Sequence, residues 1–284
     1  MMSDLRCVDR MVARMKIFLA GVALIGVCGV CASQAKAQAP AVSMGRAPVV
    51  VELFTSEGCS DCPPAEALAR KLEEQPIPGA DVIVLEEHVD YWNRQGWIDP
   101  FSSMEWTERQ QAYVASANGN PYTPEMVVNG QSQFVGSDAR EAVAAIEKAA
   151  RGVETSVTIG GGKIVAKDSE DFTVSVGKLA GNPGNDVAEV WLAVVEDGLH
   201  SSVTRGENAG HVLYHAAVLR SLHKMGVAEA KGGAASFAGN ARVAFKSKWN
   251  RKNVRVVVFV QEKKSRAILG AASTKITDRV VAGD

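Results

Sequence analysis

The sequence predicts an α/β thioredoxin-like arrangement in its first half, followed by an all-β, sandwich-like domain. Three observations carry this expectation. Residues 48–152 alternate short β-branched runs with amphipathic helical spacing, as strands and helices do when they alternate along a chain. Residues 153–284 switch to repeated strand signals separated by turn clusters. Between the first strand signal and the first helix signal lie Cys59 and Cys62, spaced Cys-x-x-Cys.

The first 37 residues read as a secretory signal peptide. A basic stretch (Arg6, Arg10, Arg14, Lys16) precedes an apolar run from Ile17 to Cys31, and Ala35-Lys36-Ala37 is an A-x-A cleavage site. The apolar run falls short of the ~20 residues a spanning helix needs. Cleavage near Ala37 predicts a periplasmic or secreted protein with no membrane segment. It also removes Cys7, Cys28 and Cys31, leaving Cys59 and Cys62 as the mature chain's only thiols. Residues 38–47 then form a linker.

The elements of the first half follow in order. Val49 to Phe54 is a short β-branched run suited to a buried parallel strand. Ala65, Leu68, Ala69 and Leu72 fall at helical spacing to Glu74, and Pro63-Pro64 fit only in that helix's first turn, so the helix begins at the cysteines. A strand from Asp81 to Glu87, a loop from His88 to Phe101 and a helix from Ser103 to Ala117 come next. Thr123-Pro124 precedes a hairpin, Met126–Val128 and Gln131–Val135, turned at Asn129-Gly130 in a primed conformation. Asp138 opens the last helix, with Glu141 placed for a capping box. This is the order of a thioredoxin fold without its first strand and helix.

The second half carries strand signals at Ser156–Ile159, Lys163–Ala166, Phe172–Val176, Val187–Val195, Arg242–Phe245 and Val254–Gln261. Gly160-Gly161-Gly162 and the cluster from Gly181 to Asn185 supply turns. The pattern predicts an antiparallel sandwich of about seven strands. Residues 211–225 fit either a strand or a helix. On a helix, His211 and His215 would form a metal-ligand pair, but no zincin glutamate accompanies them.

Charge is divided between the halves. Gln38–Gly152 holds 8 basic and 17 acidic residues, and Val153–Asp284 holds 18 and 13. The halves therefore attract each other, and neither has the basic, aromatic-interleaved face that nucleic acid requires. Nothing in the sequence calls for an organic cofactor.

The stretch Glu52-Leu53-Phe54-Thr55-Ser56-Glu57-Gly58-Cys59-Ser60-Asp61-Cys62-Pro63-Pro64, the segment from His88 to Phe101, and Tyr122-Thr123-Pro124-Glu125-Met126-Val127-Val128-Asn129-Gly130 together resemble a family of uncharacterised exported bacterial proteins. That family is a domain of unknown function with a thioredoxin-like N-terminal part. Arg205-Gly206-Glu207-Asn208-Ala209-Gly210 resembles a further element of it. The resemblance implies a fold rather than an activity. It also implies that Pro124 is cis and lies against the cysteines, with Thr123 and Pro124 holding an extended substrate.

A thiol at a helix N-terminus has its thiolate favoured by unpaired backbone N–H groups. Cys59, expected at the exposed edge of the turn, is the expected nucleophile, and Cys62 the resolving thiol. Glu57 and Asp61 oppose a thiolate, and His88, with Asp90 beside it, follows the second strand on the same sheet edge. The expected activity is thiol-disulfide exchange with the thiols or disulfides of other exported proteins. Two alternatives stay open: a copper or zinc site made of Cys59, Cys62 and His88, and a structural disulfide in a binding protein. Tyr91, Trp92, Trp97, Phe101 and Trp106 are expected to cover the His88 loop. Arg205–Asn208 either bridges the two halves through a buried Arg or Glu pair or recognises a partner.

Overall fold

Hydrophobic alternation in the first half and continuous apolar runs in the second resolve into a single mixed sheet of eight strands in the computed structural model. Residues 45–276 are described, apart from 118, 153–154, 180–185 and 230–234. The segment expected to be a signal peptide, its expected cleavage site and the Gly181–Asn185 turn cluster lie outside the described residues. The chain is an α/β protein, and Val42–Asp284 is one compact unit.

The first half provides β1 (Ala47–Thr55), α1 (Pro63–Glu74), β2 (Ala80–His88), a short 3-10 turn (Tyr91–Gln95), α2 (Met104–Ala117), β3 (Glu125–Val128), β4 (Ser132–Val135) and α3 (Ala139–Ala150). β1 runs parallel to β2 and antiparallel to β3, and β3 turns back into β4. Asn129 and Gly130 both have positive φ, 44° and 68°, as a primed hairpin turn requires. At α3 the Asp138 side chain caps by accepting from the backbone N–H groups of Arg140 and Glu141, whereas its own N–H donates to Val135 O. The reciprocal half of the capping box is therefore taken by the preceding turn.

The second half provides β5 (Val157–Ala166), β6 (Ser169–Gly177), β7 (Ala188–Asp197), β8 (His200–Ser202), β9 (Val212–Tyr214), β10 (Ala217–Ala228), β11 (Ala235–Ala244), β12 (Val254–Glu262) and β13 (Ile268–Lys275). Four of these strands extend the first half's sheet, giving the order β13-β12-β7-β10-β2-β1-β3-β4. The boundary expected at 152/153 falls between α3 and β5, and the sheet continues across it where Val218 of β10 pairs in parallel with Glu86 of β2. The two strand signals at 156–159 and 163–166 are one strand, because the three glycines continue β5 instead of turning it. Residues 212–214 and 217–228 are strands. β13, with small residues in Gly270-Ala271-Ala272, had no strand signal and is held by its ladder with β12.

Both faces of β12 are buried, which explains its unbroken run Val256-Val257-Val258-Phe259-Val260. One face joins a core shared with Leu53, Ala65, Leu85 and Ile146 of the first half. The other packs against Phe172, Val174 and Val176 of β6, the middle strand of a separate sheet ordered β11-β6-β5. α1 and α3 cover one side of β1 through Ala65, Ala69, Ala142 and Ile146. Tyr113 of α2 packs on Phe54 with ring centroids 6.0 Å apart. Among the described residues, no helix is long and apolar enough to cross a membrane.

Candidate functional site

The turn from β1 into α1 is built around a disulfide between Cys59 and Cys62. Cys62 is the N-cap of α1, and its carbonyl accepts from the N–H groups of Ala65 and Glu66 at 2.9 and 3.1 Å. Pro63 and Pro64 occupy the first helical positions, where an amide hydrogen would have no intrahelical acceptor. A Cβ on Gly58 would stand 3.1 Å from Trp92 Cβ, so glycine lets the Trp92 loop approach the turn closely.

Cys59 is not at an exposed edge, contrary to the sequence expectation: it is 1% exposed, and Cys62 is fully buried. The reason is the Arg205–Gly210 segment, which docks over the turn. The Asn208 amide donates to Glu57 O (2.9 Å) and Cys59 O (3.0 Å), and Glu207 accepts from the Ser60 N–H at 3.1 Å. Arg70 of α1 adds a bond to Tyr214 O at 3.0 Å. The Arg205–Asn208 segment joins the halves through Asn208 and Glu207 and not through a buried Arg or Glu pair, since Arg205 and Glu207 are both exposed. Ser60 and Asp61 remain exposed.

Behind the cysteines lies a fully enclosed array of charge. His215 Nε2 pairs with Glu57 Oε1 at 3.0 Å, while its Nδ1 lies 3.4 Å from Glu66 Oε2. His88, the last residue of β2, pairs through Nδ1 with Asp99 Oδ2 at 2.7 Å, and that same oxygen accepts from the Glu57 N–H. Trp97 donates to Glu57 Oε2 at 2.7 Å, and Thr55 donates to Glu66 Oε1 at 2.7 Å. The two imidazole rings cross at 80° with centroids 4.8 Å apart, and Phe101 packs on both.

Burial disfavours the charged form of His215, but hydrogen bonds to Glu57 and Glu66 outweigh it and push its pKa up to about 10. For His88 the same contest is won by Asp99, again upward. Burial alone would raise Glu66 and Asp99, yet His215 and His88 respectively pull them below the usual carboxylate range. Glu86, buried and near Glu66, is raised to about 7. Glu57, expected to oppose a thiolate, has its charge answered by His215.

The other sequence candidates separate. Asp90 accepts from the Thr107 hydroxyl at 2.7 Å and opens the 3-10 turn instead of joining the array. The Thr123–Pro124 peptide bond is cis, and the Thr123 hydroxyl accepts from Trp92 Nε1 at 2.7 Å. Trp92 therefore links the Thr123–Pro124 turn to the close approach at Gly58. Trp106 and Tyr113 are buried, and Trp97 serves as a donor to Glu57. Sequence reasoning weighed His215 only as a helical partner of His211, which the strands at Val212–Tyr214 and Ala217–Ala228 rule out, and it passed over Glu66. Residues 211–225 fit both a strand and a helix, and Glu66 falls on the polar side of the helical spacing of α1. Only their burial exposes their role.

Glu125, next to Pro124, is 1% exposed and accepts from Gln110 at 2.7 Å. Burial pushes its pKa up to about 7, against a smaller lowering by Gln110. A carboxyl raised in the folded state stabilises the fold fully below its unfolded pKa, and that stability is lost as pH rises through the folded value. From pH 5 to pH 8 this group therefore removes about 2.5 kcal/mol, at 1.36 kcal/mol per unit. Glu125→Gln, which keeps an acceptor for Gln110, should shrink the pH 5 to pH 8 stability loss by that amount in urea titrations. An unchanged pH dependence would show that Glu125 is ionised throughout.

The whole arrangement can be compared with solved proteins. A crystal structure of a protein from Agrobacterium tumefaciens is 25% identical over 85% of this chain and all of that one, with a TM-score of 0.60. HBP35 of Porphyromonas gingivalis, 18% identical, shares the fold over 84% of this chain and 81% of its own, with a TM-score of 0.56. No curated protein matches. The family model described as a protein of unknown function (DUF1223) matches residues 50–261, which span the cysteine turn, the histidine array and its Asn208 cover, and the chain belongs to that family.

Proposed function

We propose that the protein is an exported thiol-disulfide exchange protein whose working group is the Cys59–Cys62 pair. The observation that carries this reading is the placement of the disulfide at the N-terminus of α1, directly after a central parallel strand. There the dipole of α1 favours a departing sulfur as thiolate, while Pro63 and Pro64 bring no N–H and the Ala65 and Glu66 N–H groups are taken by Cys62 O. A thioredoxin-like reading of the first half is supported by the spatial order β2-β1-β3-β4. It is also supported by β10, which lies parallel to β2 at the edge where the absent first strand would pair. The β11-β6-β5 sheet against β7 and β12 supports a sandwich-like second half. The signal-like N-terminus supports action on exported protein thiols.

Exchange proceeds in two balanced steps. A substrate thiolate attacks Cys59 Sγ, the Cys59–Cys62 bond breaks, and Cys62 leaves as thiolate, giving a mixed disulfide. A second substrate thiolate then attacks the substrate sulfur of that bond, and Cys59 leaves as thiolate. Two electrons pass from the substrate dithiol to the pair, and another disulfide reoxidises it. Thr123 and Pro124 border the Trp92 loop that approaches this turn, and they serve to position the substrate segment. Because Asn208 seals Cys59, the Arg205–Gly210 segment must lift before attack.

The test is trapping. Cys62→Ser should accumulate mixed disulfides with exported proteins, and Cys59→Ser should accumulate none. Adding Asn208→Ala to Cys62→Ser should speed trapping several-fold, since two hydrogen bonds worth about 1 kcal/mol each hold the cover. Equal trapping by both single variants, or none by either, overturns the exchange reading and leaves a structural disulfide.

A further inference from the structure

We propose that Glu66, His88 and His215 form a buried site for a divalent first-row transition ion such as Zn(II). The site is separate from the cysteines. One potential ligand atom from each residue lies within 4.8 Å of the other two, and all three side chains are at most 2% exposed. They come from three distant elements: the first turn of α1, the end of β2 and the link between β9 and β10.

The geometry of the outer atoms points to a metal. His88 has its Nδ1 held by Asp99 at 2.7 Å, and His215 has its Nε2 held by Glu57 at 3.0 Å. Each histidine thus has one nitrogen fixed by a carboxylate, the arrangement that orients imidazole ligands in metal sites. Of the remaining nitrogens, His88 Nε2 is buried with no hydrogen-bond partner, and His215 Nδ1 is buried with only the 3.4 Å approach of Glu66 Oε2. Buried polar atoms left unmatched are costly, so a pair of them facing one region calls for an occupant. Glu66 is prepared in the same way: Thr55 takes Oε1, leaving Oε2 for the interior.

Spacing agrees. His215 Nδ1 and Glu66 Oε2 are 3.4 Å apart, long for a charged hydrogen bond but equal to the ligand-to-ligand edge of a tetrahedron with bonds of about 2.0–2.1 Å. Two imidazoles and one carboxylate suit Zn(II) or Fe(II), and they leave a fourth position open. Glu86, whose Oε1 is buried and unpartnered, lies near enough to feel the charges of Glu66, His215 and His88. Glu57, Glu66, Glu86 and Asp99 bring four acidic side chains into this dry region, where a dication on two neutral imidazoles would carry the same charge as two imidazolium ions. Phe101 packs on both rings, with centroids 5.4 Å from His88 and 5.3 Å from His215.

This inference does not rest on the exchange reading. Full-length mature protein, unfolded with a chelator and refolded with or without Zn(II), should bind one equivalent and unfold at higher temperature when loaded. Cys59→Ser/Cys62→Ser should bind Zn(II) as the parent does. Asp99→Asn should keep the fold and weaken binding about 10- to 100-fold, as loss of an outer-shell carboxylate does. Glu66→Gln should weaken it further. Co(II) loading should give the visible absorption of a low-symmetry site without thiolate charge-transfer bands. No stoichiometric binding by the refolded parent, or binding lost in the double cysteine variant, overturns the proposal. Binding unchanged in both Asp99→Asn and Glu66→Gln overturns it equally. Failed trapping in the exchange experiment leaves these readouts untouched.

Discussion

His215→Ala should destabilise the protein by about 3–5 kcal/mol, the cost of removing one partner from a buried ion network. His215 stands between Glu57 and Glu66, and all three are essentially without solvent contact. Without the imidazole, two carboxylates would remain in a region that water cannot reach. A cavity would also open beside Phe101 and His88. Typical folding free energies are only about 5–15 kcal/mol, so the loss is a large share of the total. Urea unfolding measures it directly. The deficit should narrow as pH falls from 7 toward 4, because protonation relieves the stranded carboxylates of the variant; the stability that the lowered Glu66 pKa confers on the parent is lost only below the ordinary carboxylate value of 4.5. A loss below about 1 kcal/mol, or one independent of pH, would mean that His215 is not the counter-charge of this array.

Arg109→Met should cost a similar amount, about 3–5 kcal/mol, at a site on the other side of the sheet. Arg109 is buried against Glu52 at 2.5 Å and reaches the Tyr113 hydroxyl at 3.1 Å, Gln261 at 3.3 Å and Glu87 at 3.5 Å. Glu52 and Glu87 are both fully buried. Burial, then the Glu52 charge, raise Glu87 well above the usual range despite the pull of Arg109. Methionine keeps the aliphatic bulk against Phe259 and removes only the charge and donors. The loss should grow with pH, as Glu87 is forced to ionise beside Glu52 with no cation. Arg109→Met/Glu52→Gln should recover more than half of it, since the remaining acid can then stay neutral. Additive losses in the double variant would show that the guanidinium is not balancing Glu52.

How much of this was readable beforehand depends on what each residue answers to. The strand, the Pro63-Pro64 helix start and the Asn129-Gly130 turn are local events, dictated by φ preferences and missing donors, and the residues themselves carry that information. The cysteine turn was legible for the same reason. Its enclosure was not, because Cys59 is buried by Asn208, a residue whose own surroundings read as a polar turn. Likewise His88 stood out beside a strand end, whereas His215 matters only through Glu57 and Glu66, which no periodicity connects to it. The three-glycine stretch in β5 misled in the opposite direction, since the ladder with β6 overrode local turn preference. β13 was silent because small residues suffice where β12 supplies the pairing.

The cover on Cys59 and the counter-ion of Glu57 come from 149 and 158 residues further along the chain. This separation sets a clock. A chain that emerges N-terminus first displays both cysteines, Glu57, Glu66 and His88 long before Asn208 and His215 exist to meet them. Closing a loop of that length is entropically costly and slow compared with forming the local turn. The turn that holds the cysteines is a local structure, whereas its cover and the counter-ion of Glu57 are contacts that only the nearly complete chain can make.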